Sequence, residues 1–309
     1  MGRAGVFSTA AGAKTNPGQF FHSGAGRKQS HMTLAQTTLE FAALACVKVT
    51  GLRQNPIGFL IASMMARAYV GIGILLIFSV GQNIGPSVRN LVMGCSFGIA
   101  LTLVVFAGSE LFTGHAMYMT LCLLAGATTL RDLARGWAVT WLGNLVGCIL
   151  LAILFVLGGG GEILKDGADL LHVVAIKKMT SPAIELVARA ILCNWLVCPA
   201  IWTAARTTND TAKCILIFWC LFAFIASGFE HSVANMTIFA VALLSEHPDA
   251  VTYVGAARNL LWVTIGNAIS GALIMGWGYW SWAGATGSST AVRGRTRWAT
   301  SPSHAFPPF

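Results

Sequence analysis

Charge is what this chain has least of. Only 10% of its 309 residues are Asp, Glu, Lys or Arg, while 55% are hydrophobic and the mean hydropathy is +0.69. A water-soluble domain carries about a quarter charged residues. So few cannot clothe a water-facing surface, and the remaining solvent is lipid. The eight cysteines contain no CxxC pair and mostly sit inside apolar runs, which excludes a disulfide framework or a thiolate metal site and leaves them as small core residues. No HExxH spacing and no paired Asn-Pro-Ala signature occurs. Nothing resembles a base-reading or phosphate-binding element, so the net charge of +9 is read as topological, with no nucleic-acid partner.

What is present is length in apolar residues. A membrane helix needs about 20 of them. Six stretches qualify: 57–80, 91–124, 136–158, 183–205, 212–245 and 259–282. The second and fifth are too long for one straight crossing, and Gly, Ser, Glu and His interrupt both. The expected fold is therefore an all-α membrane protein with six transmembrane helices, the second and fifth broken.

The basic residues divide unevenly between alternate loops. One side holds thirteen, among them Lys48, Arg53, Arg131, Arg135, Arg206 and Lys213, and the other holds Arg89, Lys165, Lys177, Lys178 and Arg258. The positive-inside rule places both termini in the cytoplasm. Residues 1–31 are Gly-, Ser- and Ala-rich and lack a secretory apolar region. They fit a disordered tail, an appended segment or a start codon placed too early, and we favour Met32 as the true start. Residues 32–283 form the transmembrane domain, opening with an amphipathic helix over 33–53 whose Leu34, Thr38, Phe41, Ala42 and Ala45 share a face suited to the membrane surface. The tail 284–309 reads as disordered and cytoplasmic.

The two halves echo each other. Ala66-Arg67-Ala68 returns 122 positions later as Ala188-Arg189-Ala190. Asn144, in Leu142-Gly143-Asn144, is matched 123 positions later by Asn267, and Glu110 is matched 120 positions later by Glu230. Three spans per half is an odd number, so the second half enters the membrane from the opposite side. That is an inverted repeat, with a pathway at its pseudo-twofold axis.

The interruptions read Gly108-Ser109-Glu110-Leu111-Phe112-Thr113-Gly114-His115 and Gly228-Phe229-Glu230-His231-Ser232-Val233-Ala234-Asn235. Irregular backbone at that depth is tolerated only where protein buries it or water lines it. The helix N-termini it frees favour an anion. His231 can donate a hydrogen bond or pass a proton near physiological pH. It would let the conjugate base of a weak acid cross an apolar constriction as the neutral acid. Its bland alternative is a structural bond to a carbonyl. Thr113 offers a hydroxyl at the first break, or simply bonds its own helix. Glu110, Glu230, Arg67 and Arg189 sum to zero charge within the spans and are read as structural, the arginines pairing with the glutamates. Asn144, Asn194 and Asn267 read as interhelical glue.

These motifs, with Cys193-Asn194-Trp195-Leu196-Val197-Cys198 and Thr264-Ile265-Gly266-Asn267, resemble the formate/nitrite transporter family and, within it, the bacterial nitrite-channel branch. The resemblance covers residues 32–282 in order. It implies an aquaporin-like protomer in a homopentamer of the bacterial inner membrane, with no cofactor. It places Thr113, His231, Asn194, Asn267 and Lys178 along the substrate pathway and Phe97, Leu101, Leu111, Phe112 and Phe224 at constrictions. Arg67 departs from it, standing where a small residue is expected. The function expected is passage of small monovalent anions, nitrite first, with formate or a related weak-acid anion as the alternative. A neutral-solute channel, a receptor and an intramembrane metalloenzyme using Glu110, His115, Glu230 and His231 are the rivals.

Overall fold

The computed structural model describes residues 33–286, and all regular structure among them is helical. The expected extension 1–31 lies outside the described residues; of the tail expected to be disordered from 284 to 309, residues 284–286 belong to the last helix and the rest lie outside the described residues. α1 spans Leu34–Gln54 and α2 Pro56–Gln82; α3 (Pro86–Ser96) and α4 (Gly98–Phe106) follow, then α5 (Phe112–Leu124) and α6 (Leu130–Leu157). The second half has α7 (Leu170–Thr180), α8 (Ala183–Ala205), α9 (Asp210–Ala226), α10 (Ser232–Leu244) and α11 (Tyr253–Ile269). α11 runs through a π-helical segment, Ser270–Trp277, into α12 (Gly278–Thr286).

The starts are written locally. Thr33 and Gln36 form a reciprocal capping box for α1, and Thr129 and Asp132 do so for α6. Asn55 followed by Pro56 opens α2. Arg53, in the last turn of α1, reaches Asp132 in the first turn of α6 at 2.6 Å and ties the end of one helix to the start of the other.

Five helical segments are long and apolar enough to cross a membrane: Pro56–Gln82, Pro86–Phe106, Leu130–Leu157, Ala183–Ala205 and Tyr253–Gly284. α9 has 17 residues and α10 has 13, and together they fill the expected fifth stretch. The chain is a multi-pass membrane protein. Large side chains such as Leu154, Leu157, Ile184 and Trp219 point outward from these helices, which suits contact with lipid.

Both expected breaks are present, and glycine makes each. α4 ends at Gly108 (φ +66°) and α9 at Gly228 (φ +69°). Only glycine enters this left-handed region without strain. It lets Ser109 N–H donate back to Val104 O, and Phe229 N–H to Phe224 O, closing the two helix ends.

The half-helices that follow interlock the repeats. α5 packs on α8 and the π segment of the other half, and α10 packs on α2 and α6. Close approach needs glycine: a Cβ on Gly266 would lie 2.6 Å from the Val187 carbonyl oxygen, and one on Gly143 2.6 Å from Ser63 Cβ.

α1 is a correction. Thr38, Phe41, Ala42 and Ala45 are buried together as expected, but against protein rather than at a lipid surface. Phe41 stacks on Trp202 of α8 at 5.1 Å, and α1 lies along α5.

Candidate functional site

The two breaks are held by the same device. Asn144 on α6 accepts from Phe112 N–H at 3.1 Å and donates to the carbonyls of Ser63 and Glu110 at 2.7 and 3.1 Å. Asn267 on α11 accepts from Ser232 N–H at 2.9 Å and donates to the carbonyls of Ala190 and Glu230 at 2.8 and 3.2 Å. Each amide satisfies the first N–H of a half-helix and the carbonyl of the glutamate two residues before it. With its remaining N–H it ties the break to a carbonyl of the neighbouring long helix, Ser63 of α2 or Ala190 of α8. Asn267 is thus a buried cap and does not face the cavities described below. Asn194 donates to the carbonyls of Asn267 and Thr113, at 2.7 and 3.4 Å, and is likewise buried.

These contacts also set the true register of the repeat. Ser63 and Ala190 play the same part, 127 positions apart. Leu60 and Ser63 meet Gly143 as Val187 and Ala190 meet Gly266. At that offset Ala62, not Arg67, corresponds to Arg189, and Glu110 N–H and Glu230 N–H donate to the carbonyls of Ala62 and Arg189. Arg67 corresponds to Asn194, and the matching Ala-Arg-Ala tripeptides are a coincidence.

The expected arginine–glutamate pairs do not form either. Lys48 Nζ lies 2.5 Å from Glu110 Oε1, and Lys178 Nζ lies 2.9 Å from Glu230 Oε2. Glu110 also meets His115 Nε2 at 2.6 Å, where its counterpart Glu230 accepts from Asn235 Nδ2 at 2.6 Å. Arg189 pairs with Glu185 on its own helix at 2.7 Å. Arg67 is fully buried, donates to Thr237 Oγ1, and leaves Nε and Nη1 without partners. Lys48, His115 and Asn235 are the site neighbours the sequence reading did not assign to the pathway. The signal for Lys48 was its matching place before the first half, as Lys178 stands before the second.

Three neighbouring cavities share walls through the middle of the molecule. The first, about 90 Å³, is lined by Lys48, Gly108, Ser109, Tyr118 and Lys213 together with Leu101 and Leu111. The middle one, about 10 Å³, is bounded by Val70, Phe97, Leu101, Leu111, Val197, Leu221, Phe224 and His231. The third, about 360 Å³, is lined by Arg89, Lys177, Lys178, Arg189 and Glu230, with Phe224 and His231 at its floor. Leu101 and Leu111 border both the first and the middle cavity; Phe224 and His231 border both the middle and the third. The middle space is about the least that holds one water molecule. Its walls obey the repeat: Val70 faces Val197 at offset 127, and Leu101 matches Leu221 and Leu111 matches His231 at offset 120.

Of the expected constriction residues, Phe97, Leu101, Leu111 and Phe224 stand here, with Phe97 and Phe224 ring edge to ring face at 5.5 Å. Phe112 does not. It begins α5, and its ring turns outward to Trp137 and an apolar lateral groove between α6, α10 and α11. Thr113, one residue on, is buried with its hydroxyl unpartnered and is absent from the walls of all three cavities.

His231 is the polar side chain of the middle cavity. It caps α10: its Nδ1 accepts from Ala234 N–H at 3.1 Å. Accepting there assigns the ring's proton to Nε2, which is left as a donor for a solute. Leu111 and His231 are the N-caps of α5 and α10, so the positive ends of two half-helices converge on this point.

Among the described residues, no three His, Cys, Asp or Glu side chains converge in a metal-binding group. The formate/nitrite transporter model matches residues 37–281. The chain is 56% identical over 229 residues to the nitrite transporter NirC of Salmonella typhimurium, covering 73% of this chain and 83% of that one. It is 35% identical over 227 residues to the formate channel BtFdhC of Bacillus thuringiensis, covering 72% and 85%. A solved FNT family ion channel superposes with a TM-score of 0.77 at 53% identity, covering 79% of this chain and 98% of that one. A pentameric formate channel with formate bound gives 0.61 at 25%, covering 72% and 96%. The chain belongs to the formate/nitrite transporter family, and it is a membrane transport protein for small anions, not an enzyme.

Proposed function

We propose that the chain is a nitrite pore of the bacterial inner membrane, with both termini cytoplasmic, in which His231 lends a proton to the anion at the narrowest point. The observation that carries this is the hydrogen bond that occupies Nδ1 and leaves Nε2–H at the middle cavity. An anion drawn into the vestibule of Arg89, Lys177, Lys178 and Arg189 meets an apolar waist between Phe224 and Leu111. A bare charge is expensive there, and the neutral acid is far less so. For this the ring first takes up a proton from vestibule water at Nδ1, releasing Ala234 N–H. The imidazolium then passes its Nε2 proton to the anion oxygen, and the neutral acid leaves. The ring returns to its neutral, capping form when Nδ1 gives its proton back to Nε2 through water. Nitrite is preferred over formate because the NirC relatives share more of the sequence than the formate channel does.

The test is nitrite flux in proteoliposomes from pH 5 to 8, with formate as competitor. Saturable flux that rises as pH falls, with weak formate inhibition, is expected. His231→Asn keeps a cap acceptor but has no titrating proton, and its flux should fall at least about tenfold and lose its pH dependence (about 1.4 kcal/mol per decade). Full flux with an unchanged profile in that variant would remove the relay. Strong competition by formate would move the assignment to the formate branch.

The assembly proposed is a homopentamer, each protomer with its own pathway, as the solved relative is a pentameric channel. A lateral groove of about 970 Å³, walled by Trp137, Trp141, Leu145, Phe239, Leu260 and Leu261, gives a neighbouring copy an apolar seat.

A further inference from the structure

Two cysteines outside the pathway face each other. Cys46 of α1 and Cys122 of α5 have their sulfurs 2.7 Å apart, both side chains buried. A formed disulfide has about 2.05 Å between sulfurs, so the two free thiols sit in direct contact but unbonded. The remaining cysteines show no such pairing among the described hydrogen-bonded contacts. Their place matters because both helices also build the first cavity. Leu44 and Lys48 of α1 and Tyr118 of α5, one turn before Cys122, line its wall. Lys48 Nζ sits 5.5 Å from the Tyr118 ring centre and holds Glu110.

We propose that Cys46 and Cys122 are a reversible redox staple, closed by a peroxide, that locks α1 onto α5 and slows passage through the first cavity. Cys46 retains 6% exposure and Cys122 none, so Cys46 reacts first. Its thiolate sulfur attacks one peroxide oxygen; the O–O bond breaks, hydroxide leaves and takes the thiol's proton to become water. Cys46 is then a sulfenic acid. The Cys122 sulfur attacks it, the S–O bond breaks, and a second water leaves with the Cys122 proton. Two thiols and one hydrogen peroxide give one disulfide and two waters, and the two electrons lost by sulfur reduce the peroxide. A thiol reductant reverses it by exchange. Reducing compartments keep such bonds transient, which suits a regulatory pair.

The test treats the purified full-length chain in lipid nanodiscs with hydrogen peroxide, blocks free thiols with N-ethylmaleimide, then reduces and labels the newly freed thiols for peptide mass spectrometry. Cys46 and Cys122 should appear together in the second label, and either C46S or C122S should abolish labelling of the other. In proteoliposomes, nitrite flux should fall several-fold on oxidation, return with dithiothreitol, and stay constant in C122S. Both thiols remaining free at a dose that oxidises the exposed Cys95 would overturn the staple, and a closed pair with undiminished flux would overturn its effect on passage. The flux arm rests on the anion-pore reading. Absence of nitrite flux in the reduced wild type would fail that reading alone, since the mass measurement decides the staple by itself.

Discussion

Lys48 and Lys178 each hold a carboxylate that the membrane would otherwise leave stranded. Removing one member of such a buried pair exposes its partner's full desolvation penalty, about 3–5 kcal/mol. Lys48→Met should therefore lower the thermal unfolding midpoint in detergent sharply, while Lys48→Met with Glu110→Gln should recover most of the loss. Equal destabilisation in the single and double variants would show that the lysine stem, not its charge, matters. Arg67 is the opposite case, a buried cation with two nitrogens unpartnered. Arg67→Met should raise the unfolding midpoint, by about 1–3 kcal/mol in stability, because an unsatisfied buried donor is removed. A fall would mean that the guanidinium holds α10 through Thr237. At this scale the break pointed to His231, while Leu111 and Phe224 came from the family resemblance; all three line the middle cavity, but the charges were mispaired. Hydropathy shows that a glutamate is buried, and it carries no information on whether a cation on the same helix or one 62 positions back reaches it. Phe112 failed for a similar reason. Adjacent residues at a helix start point in different directions, and motif matching does not resolve them.

Among the elements, the breaks were legible because polar residues and glycine stand out inside apolar runs. Their 120-residue spacing could be read directly. The register of the flanking helices could not, since the connections differ in length between the halves and one offset does not hold throughout. The relevant values are 127 for α2 and α8, 120 for the breaks, and 123 for α6 and α11, so a tripeptide match at 122 misled. The mechanical prediction is that Gly228→Ala strains the left-handed corner by about 1–2 kcal/mol. Asn267→Ala removes three hydrogen bonds from buried backbone and should cost more. Both are read as unfolding midpoints, and a milder effect of Asn267→Ala would show that water replaces the amide in that cap.

For the whole molecule, composition and the long apolar runs pointed to a lipid-solvated helical protein, and the repeat pointed to the two breaks, whose Leu111 and His231 border one cavity. The lateral groove could not be foreseen. Its residues come from four helices and are almost all ordinary apolar side chains in a sequence full of them. If a second copy seats there, Leu261→Glu, at a position 57% exposed in the single chain, should shift native mass spectra from pentamer to monomer without loss of helicity. A pentamer that survives it places the contact on another face.

The unequal mouths carry an electrical consequence. Of the cations lining the larger cavity, Lys178 and Arg189 are paired with Glu230 and Glu185, which leaves Arg89 and Lys177 as its excess positive charge. Lys48 and Lys213 of the smaller cavity are both paired, with Glu110 and Asp210. Fixed positive charge within a screening length of about 10 Å at 0.1 M salt concentrates anions beside it. In proteoliposomes of one orientation, the initial nitrite flux under a given gradient should be faster when the anion enters through the larger mouth than through the smaller. That difference should flatten as salt is raised towards 1 M, where the screening length shrinks to about 3 Å. Net movement still follows the anion's gradient, but the wall charge of one mouth would make the pathway faster in one sense than in the other, with no moving part.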